Sequence, residues 1–192
     1  MISVEKGRLP FKSDIKVCKV KRDFPNAKNY ADLNAACYAW IQRVIASSKA
    51  KSIVIDDSQY LLVNELFDRA KEKSYDKFTD MAVNFRNLVH FVNDMPDDDK
   101  IVYFLHHSEA DTDGREKAKT IGRMLDEKLC IEGCFDIVIY CADHKFYTQS
   151  NGQSTAKSPE DMFELEIPND LKFVDESIRN YYQLGGDRES NN

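Results

Sequence analysis

Short apolar runs alternate along this chain with longer segments whose apolar residues recur at helical spacing. The runs occupy residues 1–4, 52–55, 101–105 and 135–142, and an alternating segment covers residues 15–20. Continuous β-branched or aromatic runs of this length are typical of strands buried in a parallel sheet. Strands that alternate with helices predict an α/β fold with a largely parallel sheet flanked by helices.

The longer segments predict five helices. They cover residues 29–48, 61–73, 76–93, 120–129 and 169–182. The pattern is clearest in residues 76–93, where Phe78, Met81 and Phe85 follow the i, i+3, i+7 spacing of one helix face. Asn29 is suited to cap the first helix, because its side-chain oxygen can accept a hydrogen bond from the first turn.

The end of the chain predicts a hairpin and a tail. Residues 145–149 read as a strand that returns antiparallel to the run before it, with a turn at Asp143 and His144. This late hairpin would lie at the edge of the sheet. We expect one domain over residues 1–182 and a disordered polar tail over residues 183–192.

The composition is that of a globular protein, with 42% hydrophobic and 31% charged residues. The net charge of −6 disfavours tight non-specific binding to duplex DNA, which needs several contacts from Lys or Arg to phosphate. No apolar run approaches the roughly 18 residues that span a bilayer, and the amino terminus lacks a secretory signal pattern. The five cysteines have no zinc-site spacing, so we expect free thiols and a cytoplasmic location.

Two adjacent carboxylates follow one of the predicted strands. Residues 51–59 read KSIVIDDSQ, so Asp56 and Asp57 stand where the strand ends. In open α/β sheets, ligands bind just beyond the carboxyl ends of the strands. A buried strand that ends in two acidic residues is the pattern of a Walker B motif, in which one carboxylate holds Mg²⁺ and the next can polarise a water molecule. The same residues also suit a simple helix start, since Asp and Ser are good N-caps.

A nucleotide site of this kind also needs a phosphate-binding loop with the pattern GxxxxGK[ST]. No glycine in this sequence is followed by lysine. The seven glycines are Gly7, Gly114, Gly122, Gly133, Gly152, Gly185 and Gly186. The printed chain therefore carries a Walker B-like strand without a P-loop, which is the Walker A motif.

Seven stretches of the chain resemble a family of phage-encoded P-loop ATPases with a RecA-like core. Its members are commonly labelled phage nucleotide-binding or AAA-type ATP-binding proteins, and some are recombination mediators that act with single-stranded-DNA-binding or annealing proteins. The matching stretches follow the family order and cover nearly the whole chain: residues 7–12 (GRLPFK), 53–61 (IVIDDSQYL), 69–80, 104–109 (FLHHSE), 119–140, 155–164 (TAKSPEDMFE) and 167–182.

The resemblance implies a fold, cofactors and partners. It implies a RecA-like P-loop NTPase core that uses ATP and Mg²⁺ in the cytoplasm of the host cell. Family members carry a first strand, a P-loop and its helix before the stretch at residues 7–12, so we expect the first β-P-loop-α unit to be missing here. The resemblance also implies a homo-oligomer or a protein partner, contact with single-stranded DNA or a single-strand-binding protein, and no membrane.

The resemblance assigns roles to three acidic residues. Asp56 would hold Mg²⁺, and Asp57 would assist that ion or the attacking water. Glu5 ends the strand that would follow the P-loop helix, where RecA-type enzymes place a catalytic base. Glu5 is equally suited to a solvated turn.

Two further positions match the family less regularly. His107 corresponds to a polar sensor of the γ-phosphate at the tip of the strand beside the Walker B strand. The family usually has Thr-His there, whereas this chain has His106 and His107, and His106 can also be a structural residue at the core edge. Lys157 matches a cation that reaches a neighbouring subunit's nucleotide, or it is a plain surface lysine.

These observations leave two main classes of function. The first is an ATP-binding protein of a family that hydrolyses ATP in single-strand DNA recombination. Hydrolysis by this chain would be impaired, because the P-loop supplies much of the positioning and charge neutralisation. The second is a non-catalytic protein-binding module, such as an inhibitor of a host defence protein or an assembly partner. Direct nucleic-acid binding without hydrolysis is a third hypothesis, which the acidic charge balance disfavours.

Overall fold

A four-stranded parallel sheet lies at the centre of the computed structural model, which describes residues 1–5, 9, 12–96 and 99–185. Its strands are β1 (Ile2–Ser3), β2 (Cys18–Lys19), β3 (Ser52–Asp56) and β4 (Ile101–Phe104). They lie in the order β2-β1-β3-β4, and each neighbouring pair is parallel. Parallel strands need crossover connections, and helices supply those from β2 to β3 and from β3 to β4.

Five α-helices are found in the described residues. They are α1 (Tyr30–Ser47), α2 (Gln59–Asp68), α3 (Asp76–Asn93), α4 (Arg123–Asp126) and α5 (Leu171–Tyr182). Helix α1 begins where predicted, because Asn29 Oδ1 accepts a hydrogen bond from the Asp32 N–H at 2.8 Å. Helix α3 has the bounds that its apolar spacing predicts. None of these helices is both long enough and apolar enough to pass through a bilayer.

The two faces of the sheet carry separate apolar clusters, because side chains alternate between faces along a strand. Ile53 and Ile55 of β3 point into the larger cluster, where α1, α2 and α3 contribute buried residues such as Phe85. Ile101 and Tyr103 of β4 point to the opposite face and pack in a second cluster with α5. The prediction of an α/β fold with a parallel sheet flanked by helices is therefore confirmed.

Antiparallel strands form a two-stranded and a three-stranded sheet. The strands are β5 (Ser108–Ala110) and β6 (Glu116–Ala118) in the first, and β7 (Tyr140–Ala142), β8 (Lys145–Tyr147) and β9 (Glu166–Pro168) in the second. The late hairpin is confirmed as the pair β7–β8, whose turn residues Asp143 and His144 both have positive φ angles. Its predicted place at the edge of the parallel sheet is wrong, because it pairs with β9 in a separate sheet. Sequence analysis missed β5, β6 and β9, since strands of three residues carry too short a pattern.

The apolar run at residues 135–142 does not join the parallel sheet, and this part of the prediction is wrong. Only its end forms β7, and Val138 makes an isolated antiparallel bridge with Lys157. Ile137 and Ile139 instead pack in the second apolar cluster. Apolarity signals burial, and it does not distinguish a sheet strand from an irregular segment that covers a sheet.

Two predicted helices are shorter than their patterns. The helix predicted over residues 120–129 is reduced to the single turn of α4. Gly122 precedes it with a φ of 105°, a backbone conformation that interrupts helical geometry. Helix α2 ends at Asp68 rather than at residue 73.

Helix α5 is fixed to the amino ends of β3 and β4 by a charged cluster. Arg179 donates to the carbonyl oxygens of Asp99 at 2.9 Å and Lys51 at 3.0 Å. Its Nε also donates to Asp175 at 2.6 Å, and the Tyr103 hydroxyl donates to the same carboxylate at 2.8 Å. These bonds hold the α5 layer against the sheet.

The chain beyond α5 is described as far as Gly185. The Leu184 N–H donates to the Arg179 carbonyl, and the Gly185 N–H donates to Asp99 Oδ1 at 2.8 Å. The rest of the predicted tail, residues 186–192, lies outside the described residues. The same holds for residues 6–8, 10, 11, 97 and 98, which include Gly7 of the first matching stretch.

Strand β4 is the last strand of the sheet, and the outward main-chain N–H groups of this strand have no acceptor among the described residues. Among the described residues β4 pairs only with β3. This pairing extends one residue beyond β4 through a hydrogen bond from the Leu105 N–H to the Ile55 carbonyl at 2.9 Å. Alternate N–H groups point to opposite sides of a strand, so those of Val102 and Phe104 face away from β3, where no described residue accepts from them. Residues 101–105 contain none of the Lys or Pro residues that commonly protect an edge strand.

A buried ion network joins α2 to α3. Arg69, whose side chain is 5% exposed, donates to Glu65 at 3.2 Å and to Asp80 at 2.7 Å. Asn84 donates to the fully buried Glu65 at 3.0 Å, yet burial raises the pKa of Glu65. Burial also opposes the charge of Arg69, but hydrogen bonds to Asp80, Glu72 and Glu65 outweigh it and raise the pKa of Arg69. The Glu65 carboxylate therefore depends on the guanidinium beside it.

We expect Arg69→Ala to lower the free energy of unfolding by about 3–5 kcal/mol, because it leaves the buried Glu65 carboxylate without its cation. Urea titration followed by circular dichroism measures this loss. Arg123→Ala is the matched control, since Arg123 is 89% exposed and its pair with Glu127 lies on the surface. A loss in the Arg69 variant no larger than in the control would show that the network contributes little.

Candidate functional site

The chain makes a sharp turn at the carboxyl end of β3. Asp57 has a φ of 59°, in the left-handed region that costs a non-glycine residue about 1–2 kcal/mol. The next residue, Ser58, is fully buried, and its N–H donates to the Leu105 carbonyl at 2.8 Å. Its hydroxyl lies 2.9 Å from the same carbonyl and 3.0 Å from His106 Nδ1. These contacts join the carboxyl ends of β3 and β4, and they hold the strained turn in place.

The alternative interpretation of residues 56–58 as the start of a helix is correct about where the helix begins, but not about a side-chain cap. Helix α2 does begin at Gln59, with Ser58 as its N-cap. The Ser58 side chain makes no capping hydrogen bond, because its hydroxyl is engaged by β4. Asp56, Asp57 and Ser58 thus build the junction of two strands rather than a side-chain cap.

Asp57 and His107 form a pair across this junction. Asp57 Oδ1 lies 3.3 Å from His107 Nε2, and the side chains of Asp57 and His107 are 19% and 54% exposed. The Tyr60 ring stands edge-on to the His107 ring, with 6.1 Å between centroids. A carboxylate on one ring nitrogen orients a histidine and leaves the other nitrogen to exchange a proton. No described residue bonds to that other nitrogen, Nδ1 of His107.

His106 has a structural position beside this pair. Its Nε2 lies 2.7 Å from the Lys119 carbonyl, and its Nδ1 lies 3.0 Å from the Ser58 hydroxyl. A carbonyl only accepts hydrogen bonds, so Nε2 carries the proton, and the ring packs edge-on against Phe85. Burial lowers the pKa of His106, which favours the neutral ring. Of the two interpretations of His106, this geometry favours the structural one.

Glu5 reaches the same edge of the sheet. The Val4 N–H donates to the Asp56 carbonyl at 3.2 Å, so the chain after β1 runs beside the end of β3. Asn64 of α2 donates to Glu5 Oε1 at 2.7 Å. The ends of three neighbouring strands, β1, β3 and β4, therefore carry four of the predicted site residues in one row.

Lys157 lies in a different part of the chain. Its main chain exchanges two hydrogen bonds of 2.8 Å with Val138. Burial raises the pKa of the Cys134 thiol, and the positive charges of Arg86 and Lys157 partly offset that rise. Lys157 thus lies near Cys134, which belongs to the 3₁₀ turn at Glu132–Cys134. Within the described part of the chain, no contact joins Lys157 to the other predicted site residues.

The two aspartates have the chemistry of a magnesium site that is completed by a ligand. Among the described residues, no group of three or more His, Cys, Asp or Glu side chains is placed to hold a metal ion. Mg²⁺ in nucleotide sites is usually held by one or two carboxylates, with phosphates and water as its other ligands. Asp56 and Asp57 therefore suit an ion that arrives with a nucleotide better than a resident metal centre.

A surface groove of about 510 Å³ has His107 in its lining. Tyr60 and Phe67 of α2 lie along one side of it, and residues 119–122 line the other. Phe67 is 71% exposed, although large aromatic side chains are usually mostly buried. Sequence analysis missed this groove, because apolar residues at helical spacing predict a core face. Their position directly after the Asp57 turn is the signal that could have indicated it.

We expect the stability of the protein to fall as the pH drops below about 6.5, the ordinary pKa of histidine. The lowered pKa of His106 means that the unfolded chain takes up a proton in this range while the folded chain does not. Urea titrations at several pH values measure this slope.

The slope should be shallower in His106→Asn and unchanged in His144→Asn. His144 is an exposed turn residue with a φ of 61°, which asparagine tolerates. An equal slope in the wild type and in His106→Asn would contradict the assignment of this pH dependence to His106.

No family model, no curated protein sequence and no solved structure matches this chain. The resemblance to phage RecA-like ATPases therefore stays a prediction, and so do the cofactors and partners that it implies. The proposed function rests on the row of residues at the carboxyl ends of β1, β3 and β4, which consists of Glu5, Asp56, Asp57 and His107.

Proposed function

We propose that the carboxyl ends of β1, β3 and β4 bind the phosphates of a nucleotide together with Mg²⁺. The observation that carries this proposal is the Asp57–His107 pair, which joins the ends of two adjacent parallel strands at 3.3 Å. Ligands of open α/β sheets bind at this edge. The proposal further places the chain among RecA-like ATP-binding proteins of phages that act in single-strand DNA recombination.

Each residue of the row has a distinct part in this proposal. Asp56 and Asp57 hold the ion, which neutralises charge on the phosphates when it is bound. His107 presents Nδ1 to the terminal phosphate or to the water beside it, and Asp57 fixes the orientation of its ring. Glu5 is the second candidate for a base, and Asn64 donates to one of its two carboxylate oxygens, Oε1.

Hydrolysis should be slow in this chain by itself. Phosphoryl transfer depends almost entirely on positioning and on neutralisation of phosphate charge. The printed sequence has no GxxxxGK[ST] loop to cradle the β- and γ-phosphates. We therefore propose nucleotide binding as the property of this chain, with rapid hydrolysis dependent on a P-loop that is not among these residues. A role for Lys157 at a neighbouring subunit's nucleotide stays a prediction.

Substitution of Asp57 by Asn tests the site. We expect Asp57→Asn to weaken the binding of Mg²⁺-ATP at least about tenfold, because an amide loses the charge that attracts the ion and orients His107. Isothermal titration calorimetry of the purified chain measures the dissociation constant.

The matched control for this substitution is Asp143→Asn. Asp143 is also an aspartate with a positive φ, of 50°, and it lies in the exposed turn between β7 and β8. The control should bind as the wild type does. If the wild-type chain binds no Mg²⁺-ATP at millimolar nucleotide, the proposed nucleotide site is wrong.

A second candidate function is that of a protein-binding module, and the unpaired outward N–H groups of β4 favour it. An apolar strand edge without protective residues pairs readily with a strand from another polypeptide. The proposal is that a partner, or a second copy of the chain, adds a strand to β4 through the outward main-chain groups of Val102 and Phe104. An inhibitor of a defence protein and an assembly partner both fit this description.

A lysine placed at the end of this edge should block strand addition. We expect Leu105→Lys to lower the average mass in light scattering relative to the wild type, because a charged side chain disfavours pairing at a strand edge. Leu105 is 39% exposed, so the substitution places its charge in solvent rather than in the core.

Leu165→Lys is the control for this experiment. Leu165 is 69% exposed and lies next to β9, outside the parallel sheet. The control should keep the mass of the wild type. A wild-type protein that is monomeric at all concentrations would count against self-pairing through β4.

A further inference from the structure

We infer that the groove between α2 and residues 119–122 binds the nucleobase of the nucleotide, so that the ring lies beside Tyr60 and Phe67. This inference rests on the proposed phosphate site and adds the part of the ligand that this site leaves unassigned. The juxtaposition that carries it is His107, which belongs both to the Asp57 pair and to the wall of the groove.

The α2 wall of the groove is aromatic. Tyr60 and Phe67 are seven residues apart on one helix, which places them on the same face and about 10 Å apart along its axis. Val63 lies between them on the same wall. The 71% exposure of Phe67 leaves its ring free of the core and accessible to a ligand in the groove. Aromatic side chains are the usual platforms on which nucleobases stack.

The opposite wall combines side chains of different size. Lys119, Thr120, Ile121 and Gly122 line it, and a Cβ atom at Gly122 would meet nothing within 4 Å, so there is open space at this position. The apolar side chains of Ile121 and Phe67 suit the faces of a planar ring rather than a charged group.

Polar groups also line the groove. Gln59, Glu109 and Lys119 line it, and they offer both donors and acceptors. A nucleobase needs this combination, since its faces are apolar and its edge carries donors and acceptors. The volume of about 510 Å³ lies within the range of small-molecule sites.

The position of the groove distinguishes a nucleotide from other planar ligands. His107 lines it, and the proposed function places the same residue against the terminal phosphate. A ligand that fills both places has phosphates at one end and a planar ring at the other. A nucleoside triphosphate has this layout, whereas a free aromatic metabolite would occupy the groove alone.

Calorimetric titrations with two probes test the inference. The probes are Mg²⁺-ATP and Mg²⁺-tripolyphosphate, which has the phosphates without the base and sugar. We expect the wild type to bind ATP at least about tenfold more tightly than tripolyphosphate, as stacking on an aromatic side chain predicts. Phe67→Ala should lose most of this difference and keep the affinity for tripolyphosphate.

Tyr75→Ala is the matched control, because Tyr75 is also an aromatic residue with 71% exposure and does not line the groove. It should retain the preference for ATP, and Phe67→Tyr should retain it as well. Equal affinity of the wild type for both probes, or an unchanged preference in Phe67→Ala, would overturn the base site and leave the phosphate site standing. Absence of binding for both probes would overturn the phosphate site and this inference together.

Discussion

The geometry of the candidate site depends on Ser58. Its N–H donates to the Leu105 carbonyl, its hydroxyl contacts both that carbonyl and His106 Nδ1, and it is fully buried where β3 and β4 end. Loss of the bond from its N–H would leave a buried donor without a partner, which costs more than the bond itself contributes. Ser58 thereby fixes the chain directly after Asp57, so that Asp57 can stay in a left-handed conformation with its carboxylate beside His107. His106 strengthens the same junction through Ser58 and Lys119.

Two polar clusters near this sheet have opposite relations to stability. The network around Arg69 is buried, and each of its charges faces an opposite charge, so it stabilises the packing of α2 on α3. The row at the carboxyl edge instead contains Asp57 in a left-handed conformation, with its carboxylate beside His107. Residues that their surroundings hold in such a sparsely populated conformation cluster at functional sites. This contrast is why we propose a function for the row and none for the network.

The sequence predicted those elements whose patterns are long or continuous. Helix α3 has the predicted bounds because its apolar residues repeat over several turns, and β3 was found because its apolar run ends in charged residues. The proximity of Asp57 and His107 follows from the parallel arrangement of β3 and β4, so that part of the site could be predicted. The hairpin β5–β6, the irregular path of residues 135–139 and the exposure of Phe67 depend on tertiary packing. A single sequence carries no direct signal for them.

The two candidate functions meet at the same edge of the sheet. Glu5, Asp56 and Asp57 give this edge a negative charge that repels phosphates, so a nucleotide needs cations beyond the row itself. Mg²⁺ supplies part of that charge, and the P-loop lysine supplies it in proteins that have one. A strand that adds in parallel to the open side of β4 would end beside His107, because parallel strands end at one edge. Residues that follow this added strand would then face the phosphates. A partner strand at β4 and a nucleotide at Asp57 are therefore compatible. The residues that follow the added strand would strengthen the binding of the nucleotide if they carry positive charge.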